Sequence, residues 1–152
     1  MTRRARALGV KLRPHLKTAK SADVARIAVK DNFGGITVST LKEAEVFFAA
    51  GVRDVLYAVC IAPPKLAQVR ALRLRGCMLT IVVDSVAAAQ AVVDEGRTAG
   101  HTFDAMIEID RAREGHPRVG GLAELHRDLG ALEQVVPQAI GLDGGAAQLV
   151  ED

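Results

Sequence analysis

The stretch from Gly34 to Ile61, GGITVSTLKEAEVFFAAGVRDVLYAVCI, predicts one complete strand–helix–strand unit. Residues 35–39 are rich in β-branched side chains, which favour a strand. Thr40 and Glu43 have the spacing of a capping box, and Gly51 stands where a glycine commonly ends a helix. The apolar run DVLYAVCI then predicts a second strand. Strands joined through a helix in this way are expected to lie parallel.

The alternation of strand and helix continues on both sides of this unit. A short strand is predicted over residues 10–16, and a helix capped by Ser21 follows it. Two further strands are predicted in CMLTIVVD and FDAMIEID. Helices are predicted in PPKLAQVRALRLRG, in SVAAAQAVVDEG with its end at Gly96, and in GLAELHRDLGALEQ. The last segment, VPQAIGLDGGAAQLVED, has only one short apolar run. Residues 78–83 form a continuous apolar run, which is typical of a strand covered by helices on both faces.

Five strand–helix units in this order predict an α/β fold with a parallel sheet and right-handed crossovers over residues 1–152. Two architectures fit the pattern. One is part of a (β/α)8 barrel of the TIM type, whose complete form needs about 250 residues. The other is an open doubly wound parallel sheet, which would be complete at this length. Periodicity alone does not separate them.

Composition narrows the class of protein. With 49% hydrophobic and 25% charged residues, the 152-residue chain is expected to form a single globular domain with a buried core. An aromatic content of 3% and a net charge of +2 argue against a nucleic-acid or membrane surface. Cys60 and Cys77 are too far apart for a disulfide framework or a Cys-x-x-Cys metal site, so buried free thiols in the cytoplasm are expected.

Both architectures place ligands at the carboxyl ends of the strands. A lysine at the end of the first strand suits Schiff-base chemistry, because burial disfavours the ammonium form and frees the amine to attack a carbonyl. Spacing alone, however, favours solvated loop charges for Lys17 and Lys20. The histidines show no metal-ligand spacing, and no metal is predicted. The residues at the predicted strand ends are His15, Lys17, Ser39, Thr40, Cys60, Asp84, Ser85, Glu108 and Asp110.

The motif RPHLKTAKS, followed by GGITVSTLKEAEVFFAAGVRDVLYA, resembles the D-threonine aldolase and D-serine dehydratase family. These are fold-type III pyridoxal-phosphate enzymes with an alanine-racemase-like barrel. VVDS and IEID also look like the family's next two strand ends, so the resemblance covers roughly residues 8–121. The positions that match the family's motifs are Arg13, Pro14, His15, Lys17, Thr18, Lys20, Ile36, Thr37, Glu43, Ala44, Glu45, Gly51 and Asp54.

The resemblance reverses the expectation for Lys17. It implies a lyase that acts on D-hydroxy amino acids, by dehydration or aldol cleavage, through a Schiff base between Lys17 and pyridoxal 5′-phosphate. It also implies that Arg13 and His15 support the cofactor site, and that Arg118, in GHPRVGG, lies near the cofactor. No metal ligand is implied among the residues of this chain.

The chain also departs from the family pattern. Ala19 stands where the family has a second motif histidine. The family continues through further barrel strands and a C-terminal β-domain, which supply phosphate-binding residues, so the resemblance implies a truncated homologue. An incomplete barrel leaves strand edges unpaired, which predicts a homo-oligomer or association with the missing C-terminal portion. A non-catalytic homologue, an amino-acid racemase and a pyridoxal-phosphate-binding protein remain alternatives.

Overall fold

The computed structural model describes residues 2–109 and the backbone of residues 135–141 and 147–150. The strands are β1 (Lys11–Pro14), β2 (Ile36–Val38), β3 (Asp54–Cys60), β4 (Met78–Val83), β5 (Phe103–Ile109), β6 (Val135–Gly141) and β7 (Ala147–Val150). The α-helices are α1 (Thr2–Ala7), α2 (Ala22–Val29), α3 (Leu41–Ala49), α4 (Leu66–Leu74) and α5 (Val86–Ala99), with a short 3-10 turn over Pro63–Lys65. The helix predicted in GLAELHRDLGALEQ lies outside the described residues.

The order of the strands decides between the two predicted architectures. The main sheet is parallel and runs β2-β3-β4-β5-β6, so each strand lies beside its neighbour in the sequence. β1 joins next to β2 through a parallel bridge between His15 and Thr37, and the N–H of Leu16 donates to the Thr37 carbonyl over 3.0 Å. A doubly wound sheet reverses its order at a switch point, and this one does not. The prediction of a partial (β/α)8 barrel is therefore confirmed.

The core has two parts, one on each face of the sheet. The larger part packs the helices against side chains such as Val55, Ile81 and Phe103. On the other face, Leu56, Val82 and Met106 form a separate buried cluster, and no residue of the described helices belongs to it. The apolar run of β4 thus has a different cause from the one predicted: helices cover one face, and other strands supply apolar contacts on the other.

Ser21 caps α2 as the sequence predicts. The helix predicted in PPKLAQVRALRLRG begins instead with the 3-10 turn of Pro63–Lys65, and its α-helical part starts at Leu66. Thr40 and Glu43 form a complete capping box at the start of α3. α5 continues past Gly96, which is buried inside the helix, and ends at Gly100, whose φ of 58° is left-handed. The predicted end was wrong because both glycines match the pattern, but only Gly100 adopts the conformation that stops a helix.

Two features at the amino-terminal side were not predicted. α1 precedes the first strand, with Ala5 as its buried residue. β1 also pairs antiparallel with β7, in a register that sets Lys11 opposite Val150. Among the described residues, no helix is long and apolar enough to cross a membrane.

Candidate cofactor site

Lys17 lies in a tight turn directly after β1, at the carboxyl end of the strand. The backbone N–H of Lys17 donates to Nδ1 of His15 over 3.2 Å. The N–H of Lys20 donates to the carbonyl of Leu16 over 3.1 Å, which closes the turn. Lys20 has a φ of 44°, in the left-handed region. This geometry leaves the Lys17 side chain exposed at the strand end, so the burial that was expected to free its amine is not present among the described residues.

The two lysines of the motif have different surroundings. The Nζ atom of Lys20 lies 3.2 Å from Oε1 of Glu43 in an ion pair. Across residues 2–109, no hydrogen bond or ion pair engages Nζ of Lys17. A carboxylate partner stabilises the ammonium form, which cannot act as a nucleophile. Lys17 therefore carries the available amine of the pair.

His15 connects the end of β1 to the end of β2. Its Nε2 atom lies 3.5 Å from Oγ of Ser39, while Nδ1 accepts the Lys17 N–H. Burial lowers the pKa of His15, the positive charge of Lys17 lowers it further, and Glu43 acts in the opposite direction. The imidazole is therefore neutral near pH 7, with its proton on Nε2, because Nδ1 must stay free to accept.

Stability should fall as the pH drops through the range in which His15 titrates. The folded-state pKa lies below the ordinary value of 6.5, so the unfolded chain takes up the proton first. We expect the urea midpoint to decrease between about pH 7.5 and 5.5, and His15→Gln to weaken that dependence. His101, whose pKa burial also lowers, accounts for part of the remainder. An unchanged pH dependence in the His15→Gln variant would contradict this assignment.

A second polar cluster lies at the carboxyl ends of β3, β4 and β5. The thiol of Cys60 donates to Oε2 of Glu108 over 2.7 Å. Burial raises the pKa of Cys60, and hydrogen bonds to Glu108 and Asp84 raise it further. The thiol therefore remains protonated and acts as a hydrogen-bond donor rather than as a nucleophile. The sequence predicts each of these residues at a strand end, but not their contact.

Arg13 makes its contacts at the amino ends of β2 and β3, whereas Lys17 lies at the carboxyl end of β1. Its guanidinium donates to both carboxylate oxygens of Asp54, over 2.6 and 3.1 Å, and to the carbonyl of Ile36 over 3.2 Å. Asp54 and Ile36 are the first residues of β3 and β2. These contacts give Arg13 a structural role, and its assignment to the cofactor stays a prediction from the resemblance.

Arg118 and Asp110 lie outside the described residues. Within the described part of the chain, no three His, Cys, Asp or Glu side chains come together in a way that could hold a metal ion. Cys77 is a buried free thiol, and burial raises its pKa to about 11. Cys60 is also a free thiol, but is only partly buried.

The fold and the candidate site define one section of a parallel α/β barrel whose polar residues meet at the carboxyl ends of the strands. The chain belongs to the family of the alanine racemase N-terminal domain, whose model matches residues 1–142. The predicted resemblance to enzymes with an alanine-racemase-like barrel is thereby confirmed.

Two relatives are similar over most of the chain. The D-threo-3-hydroxyaspartate dehydratase of Delftia sp. strain HT23 is 56% identical over 116 residues, which are 76% of this chain and 30% of that protein. Its solved structure superimposes with a TM-score of 0.84 at 46% identity, covering 92% of this chain and 38% of that one. The D-serine dehydratase of Dictyostelium discoideum is 36% identical over 145 residues, covering 90% of this chain and 36% of that protein. The chain thus spans about a third of the length of the relatives that it matches.

Proposed function

We propose that the protein to which this chain belongs is a pyridoxal-phosphate-dependent lyase acting on a D-configured hydroxy amino acid, and that Lys17 holds its cofactor. The names of the relatives, D-threo-3-hydroxyaspartate dehydratase and D-serine dehydratase, support the reaction and the substrate class. The observation that carries the proposal is the contrast between the two lysines: Lys20 is paired with Glu43, and Lys17 is not paired among the described residues.

The residues at the end of β1 fit an aldehyde cofactor. Attack on an aldehyde carbon needs an unprotonated primary amine that no carboxylate holds. Lys17 carries a primary amine that no carboxylate holds among the described residues, and the neutral His15 fixes the start of the turn by accepting the Lys17 backbone N–H at Nδ1. Bound there, pyridoxal phosphate supplies an electron sink for breaking bonds at the α-carbon of an amino acid. The proposal assigns the same Nζ atom a second task, which is to take a proton from a substrate bound at this strand end.

Cofactor binding without catalysis is the second candidate, and one residue favours it. Ala19 occupies the turn at a position where the resembled family has a histidine. A methyl group cannot donate or accept a proton, so one polar group of the site is missing. Dehydration of D-serine releases ammonia, whereas cofactor binding alone does not, so an assay of ammonia release by the full-length protein separates a dehydrating lyase from the second candidate. A lyase that works by aldol cleavage would release an aldehyde instead, which the same incubation can be tested for.

Reductive trapping tests the site itself. We expect incubation with pyridoxal 5′-phosphate to produce an absorbance band near the visible edge, and borohydride reduction to fix a pyridoxyl group on the protein. Peptide mass mapping should then find the group on Lys17 in preference to Lys20, because Lys20 is paired with Glu43 whereas the Lys17 amine is exposed and has no partner among the described residues. It should find it on Lys17 in preference to the other lysines because Lys17 lies at the carboxyl end of a barrel strand, where such folds bind ligands. A folded protein with no pyridoxyl adduct, or with adducts spread over the surface lysines, would refute the proposal.

A further inference from the structure

We propose that Glu43 is a positioning residue for Lys17, fastening the turn of residues 16–20 to the first turn of α3 through its ion pair with Lys20. The inference rests on the proposed function of Lys17, and it adds a role that the capping box does not require.

The two carboxylate oxygens of Glu43 have separate tasks. Oε2 accepts the backbone N–H groups of Ser39 and Thr40, over 2.9 and 3.2 Å, which completes the cap of α3. Oε1 lies 3.2 Å from Nζ of Lys20. A capping box needs only the first of these contacts. The second joins the end of β1 to the end of β2, across 23 residues of sequence.

The carboxylate is held firmly enough to act as an anchor. The Glu43 side chain is only 11% exposed, whereas that of Lys20 is 65% exposed. Burial alone would raise the pKa of Glu43, but the N–H of Ser39 and the ammonium group of Lys20 together lower it. The side chain is therefore ionised at neutral pH, and a partly buried carboxylate in a fixed place orients a flexible lysine better than an exposed one.

The backbone of the turn requires such an anchor. Lys20 has a φ of 44°, which is unfavourable for a residue that has a Cβ atom. A conformation of this kind persists only where its surroundings hold it. Two contacts stabilise this conformation: the hydrogen bond from the Lys20 N–H to the Leu16 carbonyl, and the ion pair of Lys20 with Glu43. Lys17 lies between the two fixed ends, so the direction of its side chain depends on both.

Two variants of the full chain separate positioning from capping. Glu43→Gln keeps an oxygen that can accept the two backbone N–H groups but removes the charge, and Lys20→Met removes the ion pair without touching the cap. Lys20→Arg should restore the pair. Lys42→Met is the matched control, because Lys42 forms an ion pair with Glu45 on the same helix, at a point that does not involve the turn.

Two measurements are made on each variant. The first is amide hydrogen exchange at Lys17 and Lys20, which requires no cofactor. We expect Glu43→Gln and Lys20→Met to exchange about threefold faster at both positions, as befits the loss of a partly exposed ion pair. The second is the fraction of borohydride-fixed pyridoxyl groups found on Lys17, which should fall in the same two variants. Lys20→Arg and Lys42→Met should match the parent chain in both.

The outcomes are distinguishable. Unchanged exchange and unchanged labelling in Lys20→Met would overturn the inference, even if Glu43→Gln failed to fold through loss of its cap. Faster exchange in a protein whose Lys17 is never labelled would support the anchored turn while refuting the proposed function. A fall in Lys17 labelling in Lys42→Met, equal to that in Lys20→Met, would also overturn the inference. Loss of any charge near α3 would then reduce the labelling, and the ion pair of Lys20 with Glu43 would have no special role.

Discussion

Replacing Arg13 by methionine is expected to lower the free energy of unfolding by roughly 3 kcal/mol, because it leaves the Asp54 carboxylate unpaired in a largely buried place. The two side chains are 8% and 26% exposed, and the guanidinium meets the carboxylate with two hydrogen bonds. Such a fork fixes both groups in one geometry. Loss of either partner leaves the other charge buried without a counterion. The free-energy cost of that unpaired charge exceeds the stability that the intact pair contributes.

The surroundings of Arg13 add to this cost. The guanidinium carbon lies 4.8 Å from the centre of the Phe33 ring, and one nitrogen donates to the Ile36 carbonyl. Gly35 packs close to both side chains, since an added Cβ there would come within 2.6 Å of Nη1 of Arg13 and would also clash with the Phe33 ring. Arg13 thus connects β1 to the first residues of β2 and β3 through hydrogen bonds that a methionine side chain cannot make.

Urea unfolding of four variants measures the effect. Arg13→Met and Asp54→Asn should each be strongly destabilised, and the double variant should lose clearly less than the sum of the two. Asp104→Asn is the matched control, because Asp104 pairs with Arg73 but is 45% exposed, and its loss should cost about 1 kcal/mol or less. If Asp54→Asn lowered the free energy of unfolding no more than Asp104→Asn, the ion pair of Arg13 with Asp54 would not have the stabilising role assigned to it here.

The local structure of this chain could be predicted because it depends on near neighbours. The capping box of Thr40 and Glu43 is a contact over three residues, and its pattern is visible in the sequence. The choice between a barrel and a doubly wound sheet was not accessible in the same way. Both architectures have the same local pattern, and they differ only in which strands lie side by side.

The candidate site shows the same division. Parallel strands bring their carboxyl ends together, so a common location for Lys17, His15 and Ser39 follows from the pattern alone. The contact of Cys60 with Glu108 spans 48 residues and depends on the register of β3, β4 and β5. No periodicity encodes that register, and the contact was therefore missed.

The ion pair of Lys20 with Glu43 was missed for a related reason. Glu43 has a sufficient local explanation as a capping residue, and the pattern gives no sign that its second oxygen is engaged elsewhere. The left-handed backbone of Lys20 has no signal in the sequence either, because such positions usually show as glycine or asparagine. Only the folded turn reveals why a lysine stands there.

Lys17→Arg is expected to abolish the adduct at this position, whereas Lys20→Arg should leave it intact. A guanidinium keeps the positive charge beside His15 but does not condense with an aldehyde, so the variant removes the chemistry and preserves the electrostatics. In the full-length protein, the rate of ammonia release from D-serine should fall about 100-fold or more, the usual effect of losing a proton-transfer group. Lys20→Arg keeps a cation for Glu43 and serves as the control, measured by the same absorbance band and assay.

The reverse result, an adduct lost with Lys20→Arg and kept with Lys17→Arg, would transfer the role to Lys20. The ion pair with Glu43 would then have to open before the amine could react, so the adduct would form more readily in Glu43→Gln than in the parent chain.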